Sequence, residues 1–221
     1  MTHDSVVFYG GVDVISQQTN NYTKQAEAAR EYFLKWDQAE IIRRFKPKYD
    51  NDFLYICFFN EPYSICRSSG TISHRDSGLP ASFNSIMSIY DVLCCSMPGA
   101  CLSGQWQTLN NLSVHSNFGA VGRSPHLETA KQYSGKVSEL TRACTALGGR
   151  ASTKADVGFL FDAFPFLPII FQFWDGDEEF DPKINFLFDS NTLNYIHFET
   201  AWYVAGHLLE LVDKNISTNN G

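Results

Sequence analysis

Residues 168–189 read PIIFQFWDGDEEFDPKINFLFD, two aromatic-rich apolar runs separated by a linker dominated by carboxylates. The runs over 168–174 and 184–189 are short and bounded by turn residues, so both are expected as strands. Between them Asp175, Asp177, Glu178, Glu179 and Asp181 crowd the connection. In an extended segment, alternation sends Asp175, Asp177 and Glu179 to one side and Glu178 and Phe180 to the other. A solvated acidic turn that keeps a hairpin soluble is the simplest reading. A divalent cation gathered by the carboxylate oxygens is the sharper one. An EF-hand does not fit, because Phe180 stands where its glycine belongs and Phe186 where its closing glutamate belongs.

Working outward, residues 198–212 have the spacing of a closing amphipathic helix, and the polar residues 214–221 read as a frayed tail. Upstream, Ser124 and Pro125 offer a cap and a first-turn proline to a helix that breaks at Ser134-Gly135 and ends at Gly148-Gly149. Residues 83–97 carry apolar side chains three and four apart, a further helix that Pro98-Gly99 ends. Residues 53–59 and 63–67 pair as a hairpin around the turn chemistry of residues 60–62, with a third short strand over 71–73. Residues 22–35 and 37–47 supply two helices, the second opened by the capping-box pair Asp37 and Glu40 and stopped by Pro47. The fold class expected is α+β: a mostly antiparallel mixed sheet built from hairpins, with helices packed on it. It forms a single domain over 21–213, between an arm over 1–20 and the tail over 214–221.

The 221 residues are 44 % apolar and 14 % aromatic, which excludes disordered and low-complexity classes. With 17 basic and 24 acidic side chains the net charge is −7, an unsuitable balance for nucleic acid. No run of about 18 apolar residues marks a membrane span. His3 and Asp4 stand where a secretory signal needs a basic run, so a cytoplasmic location is expected. The six cysteines are then expected as thiols, with Cys57, Cys66 and Cys144 buried as small hydrophobes. Cys94, Cys95 and Cys101 lack the paired spacing of a zinc or iron–sulfur site. The histidines at 3, 74, 115, 126, 197 and 207 form no two-ligand helical spacing.

The candidate site residues follow. Trp106 and Trp174 lie at the edges of apolar segments, where rings can wall a pocket for a flat ligand. Asp177, Glu178 and Asp189 are the carboxylates that could hold a divalent ion. For Asp189, followed by Ser190-Asn191, an Asx-turn is the simpler account.

Leu102-Ser103-Gly104-Gln105-Trp106, Leu147-Gly148-Gly149, Asp156, residues 165–168, Phe173-Trp174-Asp175-Gly176-Asp177-Glu178-Glu179-Phe180 and Leu187-Phe188-Asp189 occur in that order. The pattern, over about residues 22–212, resembles the uncharacterised bacterial family called domain of unknown function 3786. The resemblance implies a shared fold and an accessory role near corrinoid or iron–sulfur metabolism in anaerobes. It assigns no activity and no cofactor. The expected function is a non-enzymatic module that binds a small molecule or a protein partner, with the tryptophans and carboxylates above as its site. The alternative is a divalent-metal-dependent hydrolase using the acidic 175–189 hairpin.

Overall fold

The computed structural model describes residues 10–112, 126–152 and 154–218, with side chains from residue 21 onward. Its helices are α1 (Gly10–Lys35), α2 (Gln38–Phe45), α3 (Phe83–Cys95), α4 (Leu109–Leu112), α5 (Leu127–Tyr133), α6 (Val137–Ala146) and α7 (Phe198–Thr218). Strands β1 (Lys48–Tyr49), β2 (Phe53–Phe58), β3 (Glu61–Cys66) and β4 (Ile72–His74) form one sheet in chain order. Strands β5 (Trp106–Thr108), β6 (Arg150–Ala151), β7 (Val157–Phe164), β8 (Leu167–Trp174) and β9 (Lys183–Asp189) form a second, ordered β5-β9-β8-β7-β6. The fold is α+β. The strands are divided between two sheets where one was expected, and every pairing is antiparallel. Among the described residues no helix is long and apolar enough to cross a membrane.

The two sheets meet at the hairpin between β2 and β3. Its tight turn is Phe59-Asn60, both residues left-handed at φ 48° and 61°, the conformation whose twist suits a two-residue hairpin. A buried phenylalanine is a costly occupant of that region. Phe59 stays because its N–H donates to Ala163 O of β7 at 2.8 Å, and its ring packs on Phe58 and Phe161. The turn is therefore the rivet between the sheets. Beside it, His207 of α7 lies flat on Phe58, with ring centroids 4.8 Å apart and planes 16° apart. The buried imidazole meets Tyr63 Oη at 3.5 Å and Glu210 Oε2 at 3.2 Å, so its polar atoms are engaged within the seam.

Local chemistry sets the element ends. Asp37 caps α2 by accepting from Ala39 N, but Glu40 turns to Arg43 and leaves the expected capping box half made. Ser82 caps α3 through Ser85 N. The helix expected over 124–147 is α5 and α6, broken where expected. The Ser124-Pro125 cap lies outside the described residues.

Several expectations change. α1 begins at Gly10, so part of the expected 1–20 arm is helix, while residues 1–9 lie outside the description. α7 runs to Thr218 through the expected tail, its last turns bridged by Ser217 to Asp213 O and Thr218 to Lys214 O. β7 carries no clear strand signal in the sequence, because Gly158 and Asp162 interrupt its apolar run. Cys144 is buried as expected, but Cys57 is exposed and Cys66 half-buried. β2 alternates, and position 57 faces out.

Candidate functional site

The five residues singled out from the sequence do not meet. Trp106 pairs with Asp189 at one end of β9, and Trp174 pairs with Lys183 at the other. The strand between them spans roughly 20 Å at about 3.3 Å per residue. Trp106 and Asp189 thus stand apart from Trp174, Asp177 and Glu178, and Asp189 is not within reach of the other two carboxylates expected to share an ion with it.

Each of these groups has a local occupation. Asp189 is 1 % exposed. Its Oδ1 accepts from Ser103 N, Ser103 Oγ and Asn191 N at 2.9, 3.0 and 2.8 Å, and its Oδ2 from Gly104 N at 2.7 Å. The Asx-turn to Asn191 is there, and the same carboxylate also clasps the loop before β5. Burial alone would raise its pKa; the donors outweigh burial and hold it below the usual aspartate value. Asp177 Oδ1 accepts from Glu179 N and Phe180 N, both at 2.8 Å, closing the linker on itself. Asp175 reaches Gly135 N and Ser134 Oγ, tying the linker to the α5–α6 junction. Glu178 is exposed. Lys183 Nζ sits 5.9 Å over the half-buried Trp174 ring, and Trp106 is 38 % exposed.

What the fold does assemble lies among the helices. Asp91 and Cys95, four apart on α3, share a helix face. His197 stands immediately before α7, and α3 packs along α7. One ligand atom from each of the three lies within 4.8 Å of the others. Asp91 Oδ2 accepts from His197 N at 2.7 Å, and Asp91 Oδ1 is 2.6 Å from His197 Nδ1. The carboxylate is mostly buried, at 11 % exposure, and the imidazole is open, at 65 %. All three line a cavity of about 260 Å³ that α1, α3 and α7 enclose with Tyr32, Tyr90, Tyr203 and Glu199.

The electrostatics narrow the chemistry. Burial, reinforced by the neighbouring Asp91 carboxylate, pushes the Cys95 thiol up to about 12. A thiol so held is no nucleophile at neutral pH. In a nucleophilic triad the histidine stands between thiol and carboxylate. Here the carboxylate is the hub. A thiol, an imidazole and a carboxylate oxygen are instead a donor set for a borderline-soft cation, zinc above all.

Residues 37–210 match the model of one protein family, Domain of unknown function (DUF3786). The chain belongs to this family. The DUF3786 span takes in Asp91, Cys95 and His197, and it also takes in the Asp189 clasp and the acidic linker. α1, which brings Tyr32 to the cavity, precedes it. No curated protein and no solved structure matches this DUF3786 chain.

C-x-x-C spacing among cysteines and histidine pairs on one helix, the usual local marks of a metal site, are both missing from the helical cluster. Asp91-x-x-x-Cys95 on an expected helix was the available signal. Nothing local pointed to His197, which is 102 residues beyond Cys95.

Proposed function

We propose that the chain is a binding module that holds a zinc-type transition-metal ion through the Cys95 thiolate, the His197 imidazole and an Asp91 carboxylate oxygen. The ion's remaining position opens to the tyrosine-lined cavity, where a small molecule or a partner's group can join it. The observation that carries the reading is the convergence of three different ligand types within 4.8 Å on the wall of one cavity. A hydrogen bond of 2.6 Å, and with it one proton, joins His197 Nδ1 and Asp91 Oδ1. A cation replaces that proton and the one on Cys95, since a coordinating thiol is deprotonated outright. Metal–ligand bonds of about 2.0–2.3 Å set ligand atoms roughly 3.5 Å apart, so binding parts His197 Nδ1 and Asp91 Oδ1 from 2.6 Å by about 1 Å and brings the Cys95 sulfur, which lies within 4.8 Å, to the same spacing. The exposed His197 ring is the one free to move.

Three protein ligands with an open position suit an ion that must meet a second molecule. That agrees with the accessory role near corrinoid or iron–sulfur metabolism that the family resemblance implies. A cobalt titration of chelator-stripped protein tests the reading. It should produce a thiolate-to-cobalt charge-transfer band that saturates at one ion per chain. Cys95→Ser should lose the band while keeping the native melting curve. Absence of the band from the native chain, or its survival in Cys95→Ser, overturns the proposal.

A further inference from the structure

A second cavity, of about 500 Å³, opens where the last turn of α2 meets residues 96–100 and the turn between β7 and β8. It shares no lining residue with the metal-site cavity. In a chain of net charge −7, its lining carries two guanidinium groups, Arg43 and Arg44, and no carboxylate. Arg43 is occupied by two hydrogen bonds to Glu40, at 2.8 and 2.7 Å. Arg44 makes no ion pair among the described residues. It is nevertheless held in place, donating through one nitrogen to Ser96 O and lying 5.2 Å over the Phe45 ring. A guanidinium has five N–H donors, so a fixed fork remains to be used.

Aromatic rings line the same cavity. Phe166 stands 5.8 Å from both Phe164 and Tyr195, centroid to centroid, with planes inclined by 12° and 21°. Phe45 tilts against Phe166 at 5.5 Å. A hydrophobic seam has no use for a fixed cation without a carboxylate in contact, and a bare anion site has no use for this much ring surface. Together the features specify a ligand with both characters, and the volume lies within the range of small-molecule sites.

We infer that this cavity binds a planar aromatic ring bearing a phosphate or a carboxylate, the ring against Phe45, Phe166 and Tyr195 and the anionic group on the Arg44 guanidinium. Phosphate and carboxylate both fit the planar fork, so the ligand's source is decided by comparing the two. The proposal is independent of the metal site.

Calorimetric titration of the full chain provides the test, with adenosine monophosphate as aromatic phosphate and indole-3-carboxylate as aromatic carboxylate. Adenosine supplies the ring without charge, and inorganic phosphate the charge without a ring. At least one aromatic anion should bind below millimolar concentration, with its neutral or ring-free counterparts at least tenfold weaker. Arg44→Gln should weaken that binding tenfold or more, and Phe166→Leu should weaken it in a protein that melts normally. Binding by the phosphate alone or the carboxylate alone identifies the source. No binding by either aromatic anion at millimolar concentration overturns the inference, as does adenosine binding as tightly as its monophosphate. Should Arg44→Gln fail to fold, the native chain still decides: added sodium chloride must weaken the anion and leave adenosine unaffected.

Discussion

Asp189 and Asp91 are both acidic side chains that tie distant stretches of chain together, yet their partners differ in kind. Asp189, at the end of β9, faces three backbone N–H groups and a serine hydroxyl, all supplied by the protein to complete a loop. Asp91, on α3, faces an imidazole and a thiol beside a cavity, the groups that in the proposed function give up protons to a cation. The first is an anchor whose acceptors are filled. The second has partners of the types that can themselves ligate a metal. A carboxylate's surroundings, more than its position at the tip of a sheet or the middle of a helix, decide which of the two it becomes.

The comparison breaks most visibly at Asp189. Asp189→Ala leaves the donors of residues 103–104 facing an apolar group, which should cost about 3–4 kcal/mol in urea unfolding while metal uptake by the remaining folded protein stays intact. The acid limb of stability carries the same signature. The folded-state pKa is depressed, so the stabilisation is complete above the unfolded value, near 4, and is lost as pH falls through the folded value. Asp189→Asn should flatten that limb in pH-dependent denaturation. An unchanged acid limb would show that the clasp is not what the carboxylate contributes.

At Asp91 the expected effect is on binding. Zinc at a hundred times its dissociation constant should add about 2.7 kcal/mol to the folded state. For a chain of this size that raises Tm by roughly 5–10 °C, and Cys95→Ser should abolish the rise. Because the Cys95 proton, held up to about 12, must leave on binding, affinity should climb at least tenfold per pH unit through neutrality. A competition titration at two pH values measures this slope. A flat profile would remove Cys95 from the ligand set.

The smallest effects belong to the acidic linker. Asp177→Asn disturbs a turn in which Oδ1 accepts from two backbone N–H groups and should cost about 0.5–1 kcal/mol. Glu178→Gln, on an exposed side chain, should stay within about 0.5 kcal/mol. Neither should alter cobalt or zinc binding. A loss of metal in either variant would return the linker to the centre of the molecule's function.

Much of the fold was legible because its signals are local. The runs that became β8 and β9 are apolar enough to be strands in any context, and the left-handed turn at residues 59–60 falls beside the turn chemistry read at 60–62. β7 was hidden by Gly158 and Asp162, yet Asp162 stands on the partly open face, where Arg150 pairs with it at 2.7 Å. β1, β5 and β6 span only two or three residues and exist because a longer strand lies alongside to accept their hydrogen bonds. Asp177 and Glu178 stand out in the sequence by crowding, which places like charges together in water more readily than it builds a ligand set, and Asp189 by its place at a strand end.

The amino-acid order alone determined the α+β class, the places of α2, α3, α5, α6 and α7 with the break between α5 and α6, and the acidic character of the linker, because periods of two and 3.6 residues and turn chemistry act over a few positions. The tertiary structure alone decided that the strands divide into two sheets, that Asp189 is consumed by a loop 85 residues away, and that His197 comes to rest beside Asp91 and Cys95. The reason is that hydrogen-bond donors and metal ligands act at about 3 Å in space, and the separation of two residues along the chain carries no information about that distance until the core between them has packed.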